Sequence, residues 1–173
     1  MKKLLNLSIS SNKKLNFKKE KFQTLIIGVR EAKTLDGDLK SINEVTDGTI
    51  KKLITREEIT GKIGNSVYLP AINGVNAEKS YFIGTGKKSK KISEMEYFKI
   101  CQSISSAALA SKSSSVKIII PEIEVENRDA SWTIEILGRH LEASCYQYFF
   151  KGKKNQPKNM LKKVEIFLSL IHI

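Results

Sequence analysis

A chain of 173 residues is long enough for one domain with its own core, and its formal net charge of +12 favours contact with polyanions. Lysines interrupt every apolar run before it reaches membrane-spanning length, which excludes a transmembrane helix in this sequence. Cys101 and Cys145 are far apart and form no Cys-x-x-Cys pair, so a zinc finger is excluded and reduced, buried thiols are expected.

The opening "MKKLLNLSIS" has the charged start of a signal peptide. Its apolar segment is short, contains Asn6 and lacks a small-residue cleavage site, so it reads as a first β-strand of a cytoplasmic protein. "TLIIGVRE" (24–31) is continuously apolar, the pattern of a strand covered on both faces. Leu39, Ile42 and Val45, then Ile50, Leu53 and Ile54, recur at helical spacing, and Asp47-Gly48 divides them into two short helices. "NSVYLP" is a strand stopped by Pro70. A turn at Asn73-Gly74 leads to the strand "KSYFIGTG", and the short connection permits an antiparallel pair.

The span 93–112 is the clearest helix. Ser93 and Glu96 form a capping box, and Tyr97, Cys101, Ile104 and Ala108 share one face. "VKIIIP" (116–121) is a buried strand. Asp129 caps a second long helix bearing Ile134, Leu137, Leu141 and Cys145. The polar loop "KGKKNQPKN" then leads to a last strand, "LKKVEIFLSL". Buried strands alternating with helices predict an α/β domain with a mixed central sheet and helices on both faces.

"YFIGTGKKSKK" (81–91) invites a nucleotide-binding reading, and the spacing rejects it. A mononucleotide loop ending at Gly86-Lys87 would need glycine at Tyr81 and a hydroxyl at Lys88. The dinucleotide fingerprint would need glycine at Ser89. The strand is therefore expected to leave the core through a glycine turn into a solvated basic loop.

Catalytic constellations are missing. His140 and His172 stand alone, no G-x-S-x-G surrounds a serine, and Cys145 lies five residues from His140 on one helix, facing another way. The basic set is nearly all lysine, with Arg30, Arg56, Arg128 and Arg139 the four arginines. Lysine makes point-charge contacts with phosphate and little base readout. The candidate nucleic-acid contacts are Lys87, Lys88, Lys90 and Lys91 in one loop and Lys151, Lys153 and Lys154 in another. Weak, sequence-tolerant DNA binding is expected, with dissociation constants on the order of 10⁻⁴ to 10⁻⁶ M. A coding bias toward lysine is the competing explanation of the charge.

Gly61-Lys62, Gly64, Leu69-Pro70, Gly74 and Gly84-Thr85-Gly86-Lys87 occur in an order that resembles the N-terminal domain of the leucyl (cytosol) aminopeptidase family. "LEASCYQYFFKGKK" extends the likeness, although Cys145 interrupts the family's Ser-Tyr step. The resemblance spans roughly residues 20 to 170 and implies a macro-domain-like fold. It makes residues 1–173 a single non-catalytic N-terminal domain. The partner it implies is a C-terminal catalytic domain that holds two divalent metals, manganese or zinc, in a homohexameric exopeptidase.

That domain's Asn-Thr-Asp-Ala-Glu-Gly-Arg signature is not in this sequence, which ends at "SLIHI". No catalytic residue, metal ligand or cofactor is carried over, and the isolated domain is expected to be an inactive monomer or weak dimer. Some bacterial members of the family are also thought to bind DNA. The macro-like fold further raises a phosphate or ADP-ribose ligand as an alternative.

Overall fold

A computed structural model describes residues 5–11, 14–151 and 161–169, the side chains of 147–151 excepted. In chain order the elements are β1 (Asn6–Ser11), β2 (Phe22–Arg30), α1 (Gly37–Val45), α2 (Thr49–Thr55), β3 (Ser66–Pro70), β4 (Ala77–Gly86), α3 (Glu94–Ala110), β5 (Ser115–Pro121), α4 (Ala130–Lys151) and β6 (Lys163–Ser169). This is the expected order of elements. The six strands form one sheet in the order β1-β6-β5-β2-β4-β3. All neighbours are parallel except β3, which runs antiparallel to β4 from Ser66↔Ile83 to Pro70↔Lys79, as the short connection allowed.

The continuous apolar run of β2 follows from two cores. Ile26 faces one side, with Ile83, Ile118 and Ile166 from neighbouring strands, and packs under α3 and α4 through Tyr97, Cys101, Ile104, Ala108, Leu137 and Leu141. Leu25, Ile27 and Val29 face the other side and meet Leu39 and Ile42 of α1, Ile50 of α2, and Leu15 and Phe17 of the segment before β2. A strand at the centre of a sheet covered on both faces has no solvated side to mark with polar residues.

Local chemistry sets the element ends. The Ser93 hydroxyl accepts from the Glu96 amide while the Glu96 carboxylate accepts from the Ser93 amide, so the capping box is closed at the start of α3. The Asp129 carboxylate accepts from the Trp132 amide at 2.8 Å and caps α4. Between α1 and α2 the chain reverses through Asp47 and Gly48, both at positive φ (52° and 78°). Ser105, Ala107 and Ala108 of α3 are buried, and Ala107 and Ala108 pack in the core that holds Ile26.

Candidate functional site

The Gly-Thr-Gly turn at the end of β4 is occupied by this chain's own backbone. The Gly86 amide donates to the Gly61 carbonyl at 2.8 Å, and the Gly84 amide to the Asn65 carbonyl at 2.9 Å. A Cβ at Gly84 would lie 1.9 Å from the Lys62 oxygen, and one at Gly61 would lie 2.1 Å from the Arg30 carbonyl carbon. The glycines are required because the segment at 61–65 crosses directly over the ends of β2 and β4. The Gly84 and Gly86 amides are satisfied within the fold and do not point at a phosphate.

In an open α/β sheet a ligand crevice is expected where neighbouring strands send their connections to opposite faces. Here β2, which leads to α1, meets that condition with both neighbours, β4, which leads to α3, and β5, which leads to α4. The β4 side is covered by the segment at 61–65, and the β5 side is closed too. A Cβ at Gly28 would meet Pro121 Cδ at 2.7 Å and Thr85 Cγ2 at 3.1 Å. The Arg30 guanidinium crosses the gap and donates to the Glu122 carbonyl. The void left beside them is about 20 Å³, enough for roughly one water. A phosphate group or an ADP-ribose has no room there.

One strand over, the ends of β5 and β6 and the first turns of α4 enclose a larger cavity of about 260 Å³. Its walls are apolar, with Ile120, Val125, Leu137 and Ile166 among them. Tyr97 is buried against it and donates its hydroxyl to the Thr133 carbonyl at 2.6 Å, and burial pushes the phenol well above its ordinary range. The polar rim carries Glu122, Glu124 and Asp129 beside Lys91 and Arg128. Both cations are already engaged, Lys91 with Glu124 at 3.9 Å and Arg128 with Glu94 at 2.7 Å. Arg128 also lies over the Trp132 ring, 5.1 Å from its centroid. A rim rich in carboxylates with its cations paired does not suit an anionic ligand.

At the opposite end of the sheet Lys117 is nearly buried on β5. Its ammonium lies 3.5 Å from Glu165 and 4.0 Å from Glu20, and faces the rings of Phe22 and Phe167 at 5.7 and 5.8 Å. Burial alone would raise the Glu165 carboxyl. The Ser10 hydroxyl, donating at 2.9 Å, and the Lys117 ammonium outweigh burial and hold it below its ordinary value. Nothing in the sequence marked this cluster, because its members come from four separate segments.

Among the described residues no group of three or more His, Cys, Asp or Glu side chains is placed to hold a metal ion. The two carboxylates that do converge already enclose an ammonium. The residues present therefore do not fit a two-metal centre. Cys101 and Cys145 are free and buried. Desolvation pushes the Cys101 thiol up to about 12 and raises that of Cys145, so neither is poised as a nucleophile. His140 stacks on Phe98 with centroids 5.7 Å apart.

The predicted lysines separate into two groups. Lys87, Lys88, Lys90 and Lys91 are exposed in the loop after β4. Lys88 is paired with Asp36 at 3.3 Å and Lys91 with Glu124, which leaves Lys87 and Lys90 with no carboxylate within 4 Å among the described residues. Lys151 ends α4, and its side chain, with Lys153 and Lys154, lies outside the described residues.

A mixed six-stranded sheet in this strand order, with helices on both faces, is a macro-domain-like α/β fold. The chain aligns over its full length with 34% of a variant of tomato leucine aminopeptidase (TM-score 0.65, 16% identity). It also aligns over 94% of its length with 97% of the macrodomain of Mycobacterium tuberculosis DarG (TM-score 0.58, 12% identity). At these identities the likeness is one of fold.

Sequence carries the family. Residues 26–154 match the profile of the cytosol aminopeptidase family, N-terminal domain. A probable cytosol aminopeptidase of Pasteurella multocida is 32% identical over 133 residues, 76% of this chain and 27% of the relative. The cytosol aminopeptidase of Haemophilus influenzae is 28% identical over 131 residues, 75% of this chain and 26% of the relative. The chain belongs to the cytosol aminopeptidase family and corresponds to its N-terminal domain. It spans about a quarter of the length of these relatives. Among the described residues no helix is long and apolar enough to cross a membrane.

Proposed function

We propose that this chain serves as the non-catalytic N-terminal domain of a leucyl aminopeptidase, an exopeptidase that removes N-terminal residues from peptides. The match of residues 26–154 to the N-terminal domain of the cytosol aminopeptidase family carries this reading. Peptide hydrolysis then belongs to a C-terminal catalytic domain, the partner of this one. As the resemblance implies, two divalent metals, manganese or zinc, act there by polarising the peptide carbonyl and activating water. Among the described residues no carboxylates are grouped to hold a metal ion. The full-length enzyme is a cytoplasmic homohexamer in this reading, held together mainly by its catalytic domains, and the isolated domain is a monomer or weak dimer.

The test has two arms. The purified chain is assayed with a chromogenic leucyl substrate, with and without manganese or zinc, and its mass is measured by light scattering. No metal-stimulated release of leucine and a mass below that of a stable hexamer are expected. Metal-dependent turnover by material free of host peptidase would overturn the reading. The genomic sequence downstream of codon 173 is the second arm. An open frame encoding the Asp-Ala-Glu-Gly-Arg signature supports the parent enzyme.

A further inference from the structure

The cavity between the ends of β5 and β6 and the first turns of α4 is held open by backbone. Ile92 forms a parallel bridge with Val125. Its amide donates to the Glu124 carbonyl at 3.0 Å, and its carbonyl accepts from the Glu126 amide at 2.9 Å. This pins the segment after β5 as a standing wall. The Arg128 amide then donates to the Val125 carbonyl at 3.2 Å and turns the chain toward α4. On the far side the Tyr97 hydroxyl holds the first turns of α4 through the Thr133 carbonyl. The space of about 260 Å³ is thus formed before any ligand arrives. Its wall residues Tyr97, Ile120, Val125, Leu137 and Ile166 are all buried. An apolar cavity of about 150 Å³ stays dry and takes benzene. This one has room for an aliphatic body of about five or six carbons.

The mouth sets the charge that such a body carries. The chain has a net charge of +12, yet three carboxylates, Glu122, Glu124 and Asp129, line this cavity against two cations, Lys91 and Arg128. Both cations are committed, Lys91 to Glu124 and Arg128 to Glu94 and the Trp132 ring. The positive end of α4 would draw an anion. Asp129 already occupies it by accepting from the Trp132 amide. Glu122 is exposed, and among the described residues no cation lies within ion-pair distance of its carboxylate. Arg30 reaches the Glu122 carbonyl instead.

We propose that this cavity is a binding site for a small aliphatic amine, with its carbon body between Ile120, Leu137 and Ile166 and its ammonium at the mouth beside Glu122 and Glu124. Burial of the carbon body supplies most of the affinity, and the rim selects the charge. A carboxylate on the same body meets like charges at the mouth. An alcohol loses the charge contact and keeps the apolar one. The site is separate from peptide hydrolysis, and the proposal stands apart from the aminopeptidase reading.

The experiment is an amide NMR titration of the nitrogen-labelled full chain with three ligands that share one carbon skeleton: isoamylamine, isoamyl alcohol and isovalerate. Each is added to about 20 mM at constant pH and ionic strength, well above a dissociation constant on the order of 1 mM for the amine. Saturating shifts are expected at Val125, Thr133 and Leu137. The amine is expected to bind about 2- to 5-fold more tightly than the alcohol, and isovalerate more weakly than either. E122Q/E124Q is expected to remove the preference for the amine over the alcohol. If that variant loses its native amide dispersion, E122Q alone is read, with the preference reduced. Absence of saturable shifts around the cavity overturns the proposal. So does isovalerate binding as tightly as the amine. A preference left intact in the variant that is read also overturns it.

Discussion

The Gly86 amide and the Gly61 carbonyl are joined by a 2.8 Å hydrogen bond that ties the end of β4 to a loop more than twenty residues earlier in the chain. The crossing that this bond holds together explains the glycines at 61 and 84. Backbone crosses backbone here, and a side chain at Gly61 or Gly84 would occupy the same space as the opposing main chain.

Gly84→Ala is therefore expected to destabilise the fold by about 1–3 kcal/mol or more, since its Cβ would sit 1.9 Å from a carbonyl that the sheet holds in place. Gly64→Ala is the comparison. Its Cβ meets nothing within 4 Å, and its φ of +93° carries only the strain of an unfavourable backbone region. Urea unfolding of both variants checks the difference. Equal losses would mean that backbone strain, and not the close crossing, sets the cost.

Ser93→Ala removes the acceptor for the Glu96 amide at the start of α3 and is expected to cost about 0.5–2 kcal/mol. Because α3 supplies Tyr97, Cys101, Ile104 and Ala108 to one core, the loss should lower the midpoint of global unfolding. A local change in helicity with an unaltered midpoint would contradict the idea that the cap supports that core.

Glu165 gives a pH signature. Its folded carboxyl titrates below its unfolded value of about 4.3, so its contribution is complete above that pH and is lost as pH falls through the lower folded value. Lys117→Met takes away the ammonium that helps hold the carboxyl down. The variant is expected to lose about 1–3 kcal/mol at pH 7, less than a fully buried pair would, because both carboxylates keep some solvent contact. Its disadvantage should shrink between pH 5 and pH 2. Urea midpoints that fall in parallel for both proteins across that range would show that Lys117 and Glu165 are not coupled.

Burial and raised thiol pKa values make Cys101 and Cys145 unreactive in the folded state. A disulfide reagent at pH 8 should label neither thiol faster than the protein opens, and both at once in denaturant. Rapid modification of one thiol in native buffer would place it on the surface.

The element order was legible in the sequence because each element carried its own local signal. The box at Ser93 and Glu96, Asp129 before α4, and Gly48 between α1 and α2 each mark an end through hydrogen bonding or backbone freedom. The apolar run of β2 gave its burial on both faces. What could not be read was anything made by separate segments meeting. Lys117 looks like another surface lysine until β6 brings Glu165 beside it. Lys88 and Lys91 look like free cations until Asp36 and Glu124 fold against them. The cavity beside Tyr97 depends on how far α4 stands from β6, a distance that periodicity does not encode.

Strand β1 has β6 as its sheet neighbour, and Ser10 and Glu165 are 155 residues apart in sequence. Among the strands described here, the first to be made thus has its neighbour made last. At roughly 5–20 residues per second the wait is about 8–30 seconds. Through that interval β1 lacks the neighbour it has in the finished sheet, so the nascent domain can close its centre early but seals its β1 edge only once β6 is made.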